Sequence, residues 1–264
     1  MTLRLTGLNI YPIKSARGLA LDESQVDEFG LRYDRRWMVV DDSGDFLSQR
    51  SHPRLALVNP SIRGGTLQVD APGMPRLETP LDPPPTLATM VKVWDDTCAG
   101  TGVGERASQW FSEFLGLACS LVHMAAQVVR PADREFAPAG ARVSFADGFP
   151  FLLVSEESLA DLNSRLSDPL PMNRFRPNLV VAGAEPYAED GWNKIEIGGV
   201  RLWVMKPCAR CVVTTTDQAT AERGKEPLRT LATYRNVNGQ VMFGQNAVHD
   251  GTGRLRVGDP VVIR

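Results

Sequence analysis

The sequence predicts a mainly β, α+β fold in two parts, carrying a few short helices. Short apolar runs that alternate at period two outnumber stretches with helical spacing. Turn chemistry separates those runs, and a small-residue, proline-bearing stretch divides the chain near its middle. The 264 residues suit one large domain or two modest ones sharing a core. Hydrophobic content of 43% and charged content of 23% are ordinary for a globular chain, which sets aside disordered and membrane classes. A formal net charge of -2 offers no basic stripe for nucleic acid, although it says nothing about where arginines cluster.

Along the chain, Trp37–Val40 reads as a strand, closed by the turn residues Asp41, Asp42, Ser43 and Gly44 before Phe46, Leu47 and Ser48 resume. Residues 71–85 are proline-rich and read as a surface loop. Val91 and Val93, with Lys92 between them, alternate as a half-buried strand does. Gly100-Thr101-Gly102-Val103-Gly104 precedes a helix but lacks the GxGxxG spacing and a βαβ setting, so it reads as a turn. Glu105–Leu115 places Ala107, Trp110, Phe111 and Phe114 on one helical face. Residues 130–141 are the connector, and the division falls at 1–126 and 127–264. Ser155 caps a second helix with Glu156 and Glu157 in its first turn and Leu159, Leu162 and Leu166 as its stripe. Ile195 and Ile197 lead through Gly198-Gly199 into Val200, Leu202 and Val204, a tight hairpin. Pro227 starts a third helix with Leu228, Leu231 and Tyr234, and Val261–Ile263 is a last strand.

Arg4, Pro12, Lys14 and Arg17 interrupt the N-terminus before an apolar leader forms, and nothing reaches the ~20 apolar residues of a membrane helix. The four cysteines, Cys98, Cys119, Cys208 and Cys211, are too few for a disulfide scaffold and read as reduced thiols. A cytoplasmic protein is expected.

Lys206-Pro207-Cys208-Ala209-Arg210-Cys211 is the sharpest chemical feature. Zinc needs two more ligands, and His52, His123, His249, Cys98 and Cys119 are scattered singly. A thioredoxin-type pair wants a following helix, whereas the β-branched run Val212–Thr216 follows here. Two small core residues near a turn would explain the pair, and so would a soft-metal thiolate favoured by Arg210 and Lys206. Arg174, Arg176 and Asn178 precede the apolar strand Leu179–Val181. In an extended segment they share one side, suited to a phosphate or a polar heterocycle, or simply to a solvated edge. Lys14 and Ser15 sit in a Gly18-closed turn that offers an ammonium and a hydroxyl to a phosphate; surface turns of this kind are also common. Phe243-Gly244-Gln245-Asn246 offers amides beside a glycine, or is a turn within a sheet.

Taken together, YPIKSARG and LRYDRRWMVVD, then FADGFPFLLVSEESLADLNSRL, RFRPNLVV, YAEDGW, KPCARCVVTTTD, KEPLRTL and FGQNAV, resemble the MOSC family over essentially the whole chain. The pattern is similar to that of the mitochondrial amidoxime-reducing component and its bacterial relatives. The resemblance implies an N-terminal β-barrel-like domain packed on a MOSC β-barrel domain that binds a pyranopterin molybdenum cofactor. Cys211 is then the molybdenum ligand and the catalytic residue, and Cys208 a pocket-wall residue. Cofactor contacts fall on Lys14, Ser15, Arg35, Arg174, Arg176, Asn178 and Arg210. Loops at Gly148 and Phe149, and at Gln245 and Asn246, also face the cofactor. Gly148 and Phe149 stand where relatives carry hydroxyl residues, and Asn246 where they carry an aromatic.

The implied activity is reduction of hydroxylamines, amidoximes or N-hydroxylated bases to amines. No plant-type ferredoxin cysteine run is present, so electrons are expected from a separate ferredoxin-like or cytochrome b5-like protein with its reductase. A monomer is expected, with no nucleic-acid or membrane partner and no pyridoxal phosphate. The rival reading is a sulfur or molybdenum-cofactor carrier without its own turnover.

Overall fold

The computed structural model describes residues 2–84 and 88–264. Among the described residues the fold is mainly β with three α-helices, as expected, and four sheets carry it. The largest has nine strands. Its main path runs Val261–Ile263, Lys194–Ile197, Val200–Ala209, Gln240–Asp250, Phe151–Ser155, Leu179–Ala182, Arg4–Ile10 and Leu19–Leu21; Asn236–Val237 joins it on Gln240–Asp250. Phe151–Ser155 and Leu179–Ala182 run parallel, and Arg4–Ile10 lies antiparallel to Leu179–Ala182. The first strand of the chain thus completes a sheet built mostly from its second half. Leu5, Leu8, Ile10, Leu153, Leu179, Val181, Ile195 and Leu202 fill the core beneath it. At roughly 25 cal/mol per Å² of apolar surface, that shared core ties the two halves firmly together.

The N-terminal half has its own four-stranded sheet, in the order Trp37–Val40, Ser120–His123, Asp96–Gly102, Ala88–Val93. A three-stranded meander, Asn59–Arg63, Thr66–Asp70 and Leu77–Pro80, packs with it around Trp37, Leu55, Leu67, Phe111 and Phe114. The helix Glu105–Leu115 buries the four residues its spacing selected, Ala107, Trp110, Phe111 and Phe114. Glu156–Ser164 is capped by Ser155, whose hydroxyl accepts from the Ser158 amide. The Gly198-Gly199 hairpin joins Lys194–Ile197 to Val200–Ala209 in register.

Four local expectations are corrected. The proline-rich 71–85 stretch contains the strand Leu77–Pro80; its residue 85 lies outside the described residues. Gly100 and Gly102 end a strand instead of forming a turn, because they pair with Thr89 and Val122 of the neighbouring strands; a Cβ on Gly100 would stand 3.3 Å from Val122 and Val91. The β-branched run after Cys211 forms a 3₁₀ turn, Val212–Thr215. The Thr214 and Thr215 hydroxyls donate to Cys211 O (2.9 Å) and Val212 O (2.8 Å), a local alternative to a sheet ladder. The third helix is a single turn, Leu228–Leu231, and Tyr234 lies beyond it.

Candidate cofactor site

The turn after Ile10, the turn around Arg35, the entries to the two parallel strands and the exit of Val200–Ala209 converge on one cavity. Lys14, Ser15, Arg35, Gly148, Phe149, Arg176, Asn178, Arg210, Cys211 and Asn246 line it, together with Arg50, Asp147 and Cys208. Ser15, Arg35 and Arg176 all carry left-handed backbones, with φ of 66°, 48° and 57°. Such conformations cost non-glycine residues roughly 1–3 kcal/mol each and persist where the surroundings enforce them. Here they turn three polar side chains toward one space.

Tyr11 organises two of the cations. The Arg35 and Arg176 guanidiniums lie 4.4 and 4.2 Å from its ring centroid. Its hydroxyl donates to Pro177 O at 3.0 Å, and its backbone N–H donates to Asp34 Oδ1 at 2.8 Å. Burial pushes the Tyr11 pKa up to about 12 despite Arg176 and Arg35, so it stays a neutral plate. Burial also lowers Arg176 to about 10, which still leaves a cation at neutral pH. Arg35 pairs with buried Asp34 and donates to Asn178 Oδ1 at 2.9 Å. Asn178 in turn accepts from Leu152 N (3.2 Å) and donates to Asn9 O (3.1 Å), so its amide clamps three chain segments and aims Arg35.

Lys14 is 5% exposed and donates to Phe145 O (2.8 Å) and Asp147 Oδ1 (2.5 Å). Burial lowers its pKa to about 8, with Asp147 opposing. Desolvation inside the cavity works to raise Asp147, modestly for a side chain that is 60% exposed, and the Lys14 ammonium and then Arg50 hold it well below the usual carboxylate range. Arg130, 2% exposed, fixes this loop from behind. It donates to Ser144 O (2.8 Å), Ala146 O (2.6 Å) and Asp147 O (2.8 Å) and pairs with Asp96 at 2.9 Å.

Cys208 and Cys211 line the same cavity. Arg210 Nη1 donates to Cys208 Sγ at 3.0 Å and Nη2 to Phe175 O at 2.6 Å, while its buried Nε has no partner among the described residues. Arg50 Nη2 stands 3.3 Å from Cys211 Sγ. No cluster of three His, Cys, Asp or Glu side chains suited to a metal occurs among the described residues. A metal seated on Cys211 therefore needs donors beyond the side chains of the described residues.

Two expected site residues point elsewhere. Arg174 is taken up by Thr214 O (2.9 Å), Glu226 O (3.4 Å) and Asp217 (3.6 Å). It belongs to a 3₁₀ turn, Met172–Arg174, so the period-two alternation with Arg176 and Asn178 fails. Gln245, 1% exposed, donates to Asp190 at 2.6 Å; Asn246, its neighbour, faces the cavity. Sequence reasoning missed Tyr11, Arg50 and Arg130 as site-building residues, because each acts through partners distant in the chain.

The chain matches the MOSC N-terminal beta barrel domain over residues 2–118 and the MOSC domain over residues 140–262. It is 39% identical to mitochondrial amidoxime-reducing component 1 of Mus musculus, over 96% of this chain and 80% of that protein. Identity to the Homo sapiens counterpart is 35%, over 96% and 81%. It is 33% identical to the molybdenum cofactor sulfurase of Oryza sativa subsp. japonica, over 92% of this chain but only 32% of that protein. Domain order, near-complete coverage and the convergence of both halves on one cavity lead to one assignment: the chain belongs to the MOSC family, with a MOSC N-terminal β-barrel domain ahead of its MOSC domain.

Proposed function

We propose that this protein binds a pyranopterin molybdenum cofactor and reduces N-hydroxylated compounds, such as amidoximes and hydroxylamines, to amines. The observation that carries the reading is the cavity's polarity. The cavity brings Lys14, Arg35, Arg176 and Arg210 together with Cys211. The residues fit the group. A phosphate leaving water needs charged donors, and the partnerless Arg210 Nε is one the fold leaves over. A single thiolate with no companion cluster of side-chain ligands among the described residues suits a metal that arrives with sulfur donors of its own.

When bound, the cofactor supplies two-electron oxygen-atom chemistry at the metal. The chain's own residues bind and shape. Lys14, Arg35 and Arg176 neutralise the phosphate end, and the Tyr11 plate keeps the two guanidiniums splayed instead of repelling into solvent. Asn178 orients Arg35, and Arg130 holds the Asp147–Phe149 loop against the cavity. Phe149 and Phe175, both buried, keep that region apolar and strengthen each charge contact within it. Electrons come from a separate redox protein.

The test is metal analysis and turnover of protein purified from a molybdenum-sufficient host. Near one molybdenum per chain, with viologen-driven reduction of an amidoxime that Cys211→Ala abolishes, is the expected result. Cofactor bound loosely without turnover, or persulfide on a cysteine, would favour the carrier reading instead.

A further inference from the structure

Arg50 comes from the N-terminal half, yet its guanidinium stands beside the thiol of the C-terminal half. Nη2 lies 3.3 Å from Cys211 Sγ and 3.8 Å from Asp147 Oδ2. The guanidinium carbon is 4.4 Å from the centroid of the Trp94 ring, whose Nε1 donates to Asp147 Oδ1 at 3.0 Å. The backbone beneath is held as firmly. Arg223 donates to Arg50 O at 2.7 Å and also to Gln49 O. Gln49 exchanges amide hydrogen bonds with Gln218 (3.1 and 3.0 Å) and donates to Ser15 O at 2.7 Å.

A half-exposed Arg–Asp pair at 3.8 Å contributes little stability. That pair and the exposed Trp94 stack do little more than offset the rotamer entropy lost in restraining the side chain. What the restraint achieves is an N–H aimed at sulfur. A hydrogen bond to a metal-bound thiolate draws electron density from it, and that favours the reduced metal.

Resting on the cofactor reading above, we propose that Arg50 is a positioning residue that donates to the metal-bound Cys211 sulfur and raises the metal's reduction potential, with Asp147 and Trp94 holding the guanidinium in place. The N-terminal domain thereby tunes a metal that the C-terminal domain binds.

The experiment is a potentiometric titration of the molybdenum-loaded protein, followed by the paramagnetic metal signal, for wild type, Arg50→Met and Arg50→Lys. Arg50→Met is expected to move the midpoint negative by at least a tenfold change in the one-electron equilibrium, which corresponds to about 59 mV. Arg50→Lys keeps the charge but not the stacked fork and falls between. Trp94→Ala, which loosens the guanidinium without removing it, shifts the midpoint in the same direction by less and serves if Arg50→Met fails to fold. An unchanged midpoint and signal in the Arg50 variants overturns the proposal, whatever happens to turnover.

A second arm uses metal-free protein. The rate of Cys211 alkylation by iodoacetate is compared with that by neutral iodoacetamide, resolved by peptide mass. Arg50→Met is expected to lower the iodoacetate preference several-fold, since the cation beside the sulfur attracts the anionic reagent. An unchanged ratio overturns the contact itself. Wild type that takes up no molybdenum overturns the cofactor reading and this proposal with it, and the alkylation ratio then tells whether the geometry or the metal assignment was at fault.

Discussion

Replacing Arg130 by methionine removes the donor that holds the cofactor-side loop while leaving a side chain of comparable reach. Two buried carbonyls, those of Ser144 and Ala146, and the part-buried carbonyl of Asp147 then lose their guanidinium donors. Leaving a buried acceptor unsatisfied costs about 1 kcal/mol at the lower end of its range. The Asp96 carboxylate also loses its partner, but it is 39% exposed and water replaces most of that pairing, so at most about 1 kcal/mol is added. The loss is therefore about 2–4 kcal/mol, equivalent to a fall of roughly 10 °C in the unfolding midpoint for a chain of this size. Thermal and urea unfolding of metal-free protein measure it. Because Phe145 O and Asp147 also hold Lys14, the loosened loop should weaken cofactor retention beyond the stability loss. A loss under about 1 kcal/mol, with cofactor retained as in wild type, would refute the idea that Arg130 braces the site.

Lys14 sets a pH dependence. Burial lowers its folded pKa to about 8 from 10.5, so between those values the unfolded chain binds more protons and stability rises with pH. The penalty is fully present below about pH 8 and is relieved toward pH 10.5; Lys14→Met should flatten that rise in urea titrations. Inorganic phosphate binding to metal-free protein should weaken above about pH 8 as the ammonium is lost, and calorimetry across pH 6–10 checks it. Gly244 has φ of 77°, and a Cβ there would stand 2.7 Å from Val154 and 2.8 Å from Leu153 O. Gly244→Ala should therefore destabilise the protein by about 2 kcal/mol or more, read by chemical unfolding. Tyr11→Phe keeps the plate between Arg35 and Arg176 and should hold cofactor nearly as wild type does, whereas Tyr11→Leu should release it several-fold faster. Equal release from both variants would dismiss the plate.

Much of the fold is legible where one local pattern decides the outcome. The Glu105–Leu115 stripe, the Ser155 cap and the Gly198-Gly199 hairpin each follow from spacing or turn chemistry alone. Expectations failed where a tertiary contact overrules the pattern. Gly100 lies in a strand because its segment pairs with Ala88–Val93 and Ser120–His123, while Val212–Thr215 is a local exception, coiling where threonine hydroxyls donate to carbonyls three residues back. At the site, Lys14, Arg35, Arg176, Arg210 and Cys211 were expected together and share one cavity. Arg174 and Gln245 were expected with them but serve Thr214, Asp217 and Asp190 instead. Tyr11, Arg50 and Arg130 escaped because their roles exist only once segments far apart in the chain meet. The left-handed backbones at Ser15, Arg35 and Arg176 are likewise invisible in residue types that ordinarily avoid them.

The claim that Cys211 is this chain's own ligand to a cofactor-borne molybdenum is tested most directly by X-ray absorption at the molybdenum edge. Wild type and Cys211→Ala would be measured after loading under the same conditions, with the cationic residues of the cavity intact in both. The account predicts three sulfur neighbours in wild type, two of them from the cofactor, and two in the variant. The same sulfur count in both proteins, or no molybdenum in wild type, would contradict it.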